Sequence, residues 1–156
     1  MSSSSASRTT GRPSLNLGVR HHVIPSVPKS VLEALDRLKA DTGASRVSIV
    51  SDAAAAVVGQ PEFIRRIHFD LGEPRLLDVP RPFTTPRHNL TTCFPLPVYD
   101  VLCEMADAAG IRVRDLIADL AAAAAGRPDL ADYMTFGDQV NSRAIHAGEG
   151  RLQLAI

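Results

Sequence analysis

The segment 45–58 has apolar residues with the spacing of one helical face. These residues are Val47, Ile49, Val50, Ala53, Ala54 and Val57, which recur at the three- and four-residue intervals of an α-helix. Ser45 stands where a side-chain oxygen can cap the first turn. Gly59 is suited to a left-handed helix end, and Pro61 prevents the helix from resuming. The pattern therefore predicts a helix over 45–58.

The residues before this segment predict a second helix and a strand. Apolar residues with helical spacing occupy 29–41, and Gly43 follows where that helix would end. The stretch VRHHVIPSV at 19–27 is strand-like. The order along the chain is thus strand, helix, glycine turn, helix.

The same order recurs 67 residues later without a gap. Identical residues at this offset include Arg20 and Arg87, His21 and His88, Pro28 and Pro95, Val31 and Val98, Leu35 and Leu102, Gly43 and Gly110, Asp52 and Asp119, Gly59 and Gly126, and Pro61 and Pro128. The second copy has a strand at 87–94 and helices at 96–108 and 112–125. A unit of about 44 residues buries too little surface to be stable alone. We therefore expect the two copies to pair, within one chain or between two chains.

Both copies resemble the ribbon-helix-helix family of DNA-binding proteins. The resemblance lies in VIPSVPKSVLEALDRLKADTGASRVSIVSDAAAAVV in the first copy and TTCFPLPVYDVLCEMADAAGIRVRDLIADLAAAAA in the second. It implies a mainly α fold with a short β-ribbon, in which two tandem ribbon-helix-helix copies pair as a pseudo-dimer. In this family the ribbon enters the major groove of DNA.

The resemblance also implies roles for individual side chains. Strand alternation places one set of residues outward, where they would contact bases: His22, Ile24, Ser26, Asn89, Thr91 and Cys93. The helix N-termini and the strand flanks supply a second set, which would contact phosphates: Arg20, His21, Ser45, Arg46, Arg87, His88, Arg112 and Arg114. Arg112 replaces the capping serine of the first copy.

Composition adds limits to this picture. The formal net charge is zero and there are only two cysteines, so neither a disulfide framework nor a uniformly basic surface is expected. No apolar run is long enough for a membrane span, and the N-terminus has no signal-like core. We therefore expect a cytoplasmic, nucleoid-associated protein with no membrane partner. The histidines and cysteines do not have metal-ligand spacing, and no catalytic motif or cofactor motif is present.

The chain divides into five predicted parts. These are a disordered basic arm at 1–17, the first copy at 18–62, a proline-rich linker at 63–86, the second copy at 87–130, and a C-terminal tail at 131–156 that is a candidate segment for oligomerisation or partner binding.

Three functions remain open from sequence. The first is a transcriptional repressor that binds a double-stranded DNA operator with unlike half-sites. The second is a plasmid or chromosome partition protein, or an antitoxin, whose tail or basic arm contacts a partition ATPase or a toxin. The third is a scaffold that acts through protein contacts without binding DNA. The third is favoured by residues 89–130 of the second copy, which hold three arginines and six acids.

Overall fold

The computed structural model describes residues 19–78, 86–136 and, for the backbone, 145–147. Within these residues the fold is mixed α/β. Its helices are α1 (Lys29–Thr42), α2 (Arg46–Val57), α3 (Leu96–Ala109) and α4 (Val113–Ala124). Its strands are β1 (Arg20–Val23), β2 (Ser26–Pro28), β3 (Ile67–Phe69), β4 (Pro74–Leu76), β5 (Arg87–Asn89), β6 (Thr92–Pro95), β7 (Met134–Phe136) and β8 (Ile145–Ala147). The basic arm predicted for 1–17 lies outside the described residues.

The helices begin and end within one residue of the predicted bounds. The hydroxyl of Ser45 accepts a hydrogen bond from the backbone N–H of Ser48 at 3.1 Å, which caps α2. Gly43 and Gly110 end α1 and α3 with φ of 80° and 75°, a conformation that disfavours residues with a Cβ atom. The predicted helices are therefore confirmed, together with the residues predicted to cap and end them.

The two copies of the duplicated unit form two halves of the fold. Their strands pair with each other in an antiparallel ribbon. Strand β1 pairs with β6, with Arg20 opposite Pro95. Strand β2 pairs with β5 in the same register, with Ser26 opposite Asn89. Pro25, which has no N–H to donate, lies between the two strand pairs. Its carbonyl accepts a hydrogen bond from the N–H of Leu90 at 2.9 Å, so the two pairs form one ribbon.

A pseudo-two-fold axis relates the halves. Each helix of the first half has a counterpart of equal length 67 residues later, such as α1 and α3. The ribbon register places Ile24 opposite Thr91, and these two residues are also equivalent positions of the duplication. The axis therefore passes between Ile24 and Thr91.

The core lies between the ribbon and the second helix of each half. Helix α2 contacts α4, and α2 also packs beneath β6. The helix faces that meet here are rich in alanine, with Ala53, Ala54 and Ala121 wholly buried. Small side chains let the helix backbones approach closely, and larger residues from the ribbon, including Phe94, fill the space above them.

The linker and the tail also form strands that cross between the halves. Strand β3 pairs with β8, and β4 pairs with β7, both antiparallel. The described parts of 63–86 and 131–156 thus join the two halves a second time. Residues 79–85 of the linker, and 137–144 and 148–156 of the tail, lie outside the described residues.

Two buried aspartates tie these segments to the helices. Asp52 in α2 accepts hydrogen bonds from the backbone N–H groups of Arg65, Arg66 and Ile67 at 2.8 to 2.9 Å. Its counterpart Asp119 in α4 makes the equivalent three bonds at 2.8 to 2.9 Å, from the N–H groups of residues 132, 133 and 134. Each carboxylate therefore accepts hydrogen bonds from the backbone N–H groups of a chain segment that enters the core beside it.

The pKa of Asp119 reflects two opposed effects. Burial raises it, with a smaller contribution from the charge of Asp132, and the three N–H donors lower it because they stabilise the charged form; the net pKa is about 6. The pKa of Asp119 therefore lies above that of an exposed aspartate despite its three hydrogen-bond donors.

We predict that Asp52→Ala and Asp119→Ala each lower the free energy of unfolding by about 3 kcal/mol or more, because each leaves three backbone N–H groups without an acceptor. Chemical denaturation followed by circular dichroism measures this loss.

The matched control is Asp36→Ala, which removes an exposed carboxylate on α1. It should change the stability little. Equal stability of all three variants would show that the buried carboxylates do not hold the segments in place.

Candidate nucleic-acid interface

The outer face of the ribbon is exposed and mostly polar. His22, Asn89 and Thr91 are exposed, and Ser26 is half-buried. Ile24 is 51% exposed at the centre of the face. Five of the six predicted base-contacting residues therefore lie on an accessible surface, around the pseudo-two-fold axis.

Cys93 departs from the prediction of an exposed base-contacting residue. Its side chain is only 7% exposed, because Arg20 lies over it. The Nε atom of Arg20 donates to the Cys93 sulfur at 3.2 Å, and the Nη2 atom donates to the Cys93 carbonyl at 3.2 Å. Strand alternation gave the correct face for Cys93, but it could not show that a neighbouring side chain covers it.

A groove flanks each end of the ribbon. The first groove, of about 530 Å³, is lined by His21, His22, Val23, Ile24, Tyr99, Arg112, Val113 and Arg114. The second, of about 690 Å³, is lined by Asp36, Lys39, Ala40, Ser45, Arg46, Val47, Asn89, Leu90 and Thr91. Each groove combines a strand of one half with the N-terminus of the second helix of the other half. Neither half forms a groove alone.

The predicted phosphate-contacting residues at the helix N-termini are in these grooves. In the second groove, Arg46 donates two hydrogen bonds of 2.8 Å to the carboxylate of Asp36. The guanidinium lowers the pKa of Asp36 below its usual value, mainly through this hydrogen bonding. Ser45 is exposed beside this ion pair, although its hydroxyl already caps the helix.

In the first groove, Arg112 and Arg114 occupy the start of α4. Arg112 pairs with Asp115 at 3.1 Å, and its own side chain is largely exposed. Arg114 is exposed and makes no ion pair with the residues that the structure describes. Arg114 is thus the less constrained of the two cations.

The two arginines at the ends of the ribbon make equivalent bonds but differ in their other contacts. The Nη2 atom of Arg87 donates to the Ser26 carbonyl at 2.7 Å, as Arg20 does to the Cys93 carbonyl. Arg87 also forms an ion pair with Asp132 at 3.2 Å, and the two side chains are 13% and 4% exposed. Arg87 is therefore held inside the protein, contrary to the prediction that it contacts phosphate.

The two histidines next to these arginines also differ. The ring of His21 stacks on Tyr99 with a centroid distance of 3.9 Å and remains exposed. His88 is half-buried, and its Nε2 atom is buried without a hydrogen-bond partner among the described residues. Of the pair, His21 is exposed and His88 is not.

Sequence reasoning missed four residues that shape this surface: Asp36, Lys39, Tyr99 and Asp132. The first three line the grooves from the first helix of each half. Asp36 and Lys39 are three residues apart, a spacing that shares a helix face and could have been recognised. Asp132 meets Arg87 across 45 residues of sequence, and no local signal indicates that contact.

Neither a metal site nor a membrane span is found in the part of the chain that the structure describes. There, no three side chains of His, Cys, Asp or Glu are grouped so that they could hold a metal ion. Its helices are also too short or too polar to cross a bilayer.

No protein-family model matches this chain. No curated protein and no solved structure matches it either.

We predict that Arg87→Ala lowers the free energy of unfolding by about 3 kcal/mol, since it removes one partner of a buried ion pair. Arg20→Ala, the matched variant at the equivalent position, should cost about 1 kcal/mol, because it removes bonds to neutral acceptors only. Urea denaturation of the two variants tests the difference, and equal losses would contradict the distinct environments of the two side chains.

Proposed function

We propose that this protein is a tandem ribbon-helix-helix regulator that binds a specific DNA operator. The observation that carries the proposal is the exposed outer face of the ribbon, which lies between two grooves that each end at a helix N-terminus. In this proposal the ribbon enters the major groove, and the helix N-termini approach the phosphates on either side.

The shape and chemistry of the ribbon suit this role. The major groove of B-DNA is about 12 Å wide and admits a two-stranded β-ribbon. The amide of Asn89 can form two hydrogen bonds to adenine, and the hydroxyl of Thr91 can bond to several bases. The apolar side chain of Ile24, exposed among polar neighbours, matches a thymine methyl group.

The helix N-termini supply the contacts that fix the orientation of the protein. The first N–H groups of α2 and α4 have no partner within their helices, and the helix dipole adds positive potential there. Arg112 and Arg114 line one of these ends, and Lys39 and Arg46 line the other. Such groups bind phosphate without regard to sequence.

We propose a repressor in particular, because occupying a promoter requires only the DNA contacts described above. A partition protein or an antitoxin would use the same DNA-binding surface and would add a protein partner. In each of these roles the protein would be associated with the nucleoid.

A scaffold without DNA binding is the second candidate. It is favoured by the ion pairs Arg46–Asp36, Arg112–Asp115 and Arg87–Asp132. These pairs neutralise three of the arginines that were expected to bind phosphate.

Selection from a randomised duplex library distinguishes the two candidates, with the binding of enriched duplexes measured by fluorescence anisotropy at several salt concentrations. The regulator should enrich a sequence that it binds at least ~10³-fold more tightly than random DNA. Its log affinity should fall linearly with log salt concentration. Binding without sequence preference or salt dependence would support the scaffold instead.

We predict that Asn89→Ala and Thr91→Ala relax the sequence preference at the positions they contact. Each should reduce discrimination by about 1–3 kcal/mol. The same library selection, repeated with each variant, measures this loss, and an unchanged preference would exclude both side chains from base contact.

We also predict that Ile24→Ala weakens binding to the enriched duplex and abolishes the effect of replacing a central thymine by uracil, which lacks the methyl group. Leu76→Ala is the matched control, because Leu76 is also 51% exposed but lies on β4, outside the ribbon. A similar loss in both variants would indicate a general effect of surface apolar area.

A further inference from the structure

The outer face of the ribbon carries different side chains at its two ends, although the backbone is related by a pseudo-two-fold axis. The pair of His22 and Cys93 at one end corresponds to the pair of Asn89 and Ser26 at the other. Only Ile24 and Thr91 lie at the axis itself. The face is therefore symmetric in backbone and asymmetric in chemistry.

The first end, defined by Arg20 and His22, presents hydrogen-bond donors. His22 is exposed, and a ring N–H of imidazole is a donor. The guanidinium of Arg20 lies on the same face, and within the described part of the chain it bonds only to the sulfur and the carbonyl of Cys93. A thiol sulfur is a weak acceptor, so Arg20 can exchange that contact for a stronger one at low cost.

The second end, defined by Ser26 and Asn89, presents an amide and a hydroxyl directly opposite each other. The equivalent arginine is not available here, since Arg87 is engaged by the buried carboxylate of Asp132. The residue that corresponds to Asp132 in the first half is Arg65, and no carboxylate forms an ion pair with Arg20 among the residues that the structure describes. The availability of an arginine thus differs between the ends.

These chemistries match different bases. Arginine and other donors suit the O6 and N7 acceptors of guanine, whereas the donor and acceptor of an asparagine amide suit the N6 and N7 atoms of adenine. Resting on the proposed function, we infer that the operator is directional. It has guanine under the Arg20–His22 end, thymine at the centre under Ile24, and adenine under the Ser26–Asn89 end.

The consequence is a single binding orientation. A palindromic site would present the same base to both ends, and one end would then meet a base that it does not match. A mismatch of this kind weakens binding on the order of tenfold or more. The protein therefore discriminates between the two directions of one site.

The test makes the two ends alike. Library selection with the wild-type chain should return a non-palindromic consensus with guanine in one half and adenine in the other. His22→Asn, which gives the first end the amide of the second, should shift the consensus of that half towards adenine and make the site more palindromic. Arg20→Ala should remove the guanine preference without changing the adenine half.

Asn89→His is the reciprocal variant and should weaken the adenine preference only. His22 and Asn89 are exposed, and thermal unfolding of each variant confirms that the fold is kept.

The outcomes separate the two proposals. A palindromic wild-type consensus, or a consensus that His22→Asn and Arg20→Ala leave unchanged, would overturn the directional operator while leaving DNA binding intact. The absence of any enriched duplex would overturn the proposed function and this inference together.

Discussion

The packing of α2 against α4 is the contact on which the rest of the structure depends. Each half presents an alanine-rich helix face that it cannot cover by itself, and burial of that face requires the other half. Because the two helices pack together, the strands above them lie side by side and pair in the ribbon. The grooves follow, because each one joins a strand of one half to a helix of the other.

Local sequence signals were enough to predict the four helices. Ser45, Gly43 and Gly110 mark helix ends through backbone geometry that depends on few neighbours. The duplication also predicted that the halves pair. It showed that Asp52 and Asp119 are equivalent positions, but it did not predict their hydrogen bonds. The N–H groups that donate to them belong to segments with no recognisable sequence pattern.

The candidate site was less predictable for a similar reason. Alternation along a strand gives the direction of a side chain, and it placed His22, Ile24 and Asn89 correctly on the exposed face. It does not show what lies over that side chain or beside it. Cys93 is covered by Arg20, and Arg87 is held by Asp132, through contacts that span 73 and 45 residues of sequence. Such contacts depend on the complete fold.

Joining both halves in one chain also changes how the stability of the ribbon depends on protein concentration. A ribbon made by two separate chains dissociates on dilution, and its stability depends on protein concentration. Here the partner strand is covalently attached, so its effective concentration is set by the connecting segment. A few molecules in a cell would retain the complete surface, and the midpoint of unfolding of the ribbon would be the same in dilute and concentrated solution.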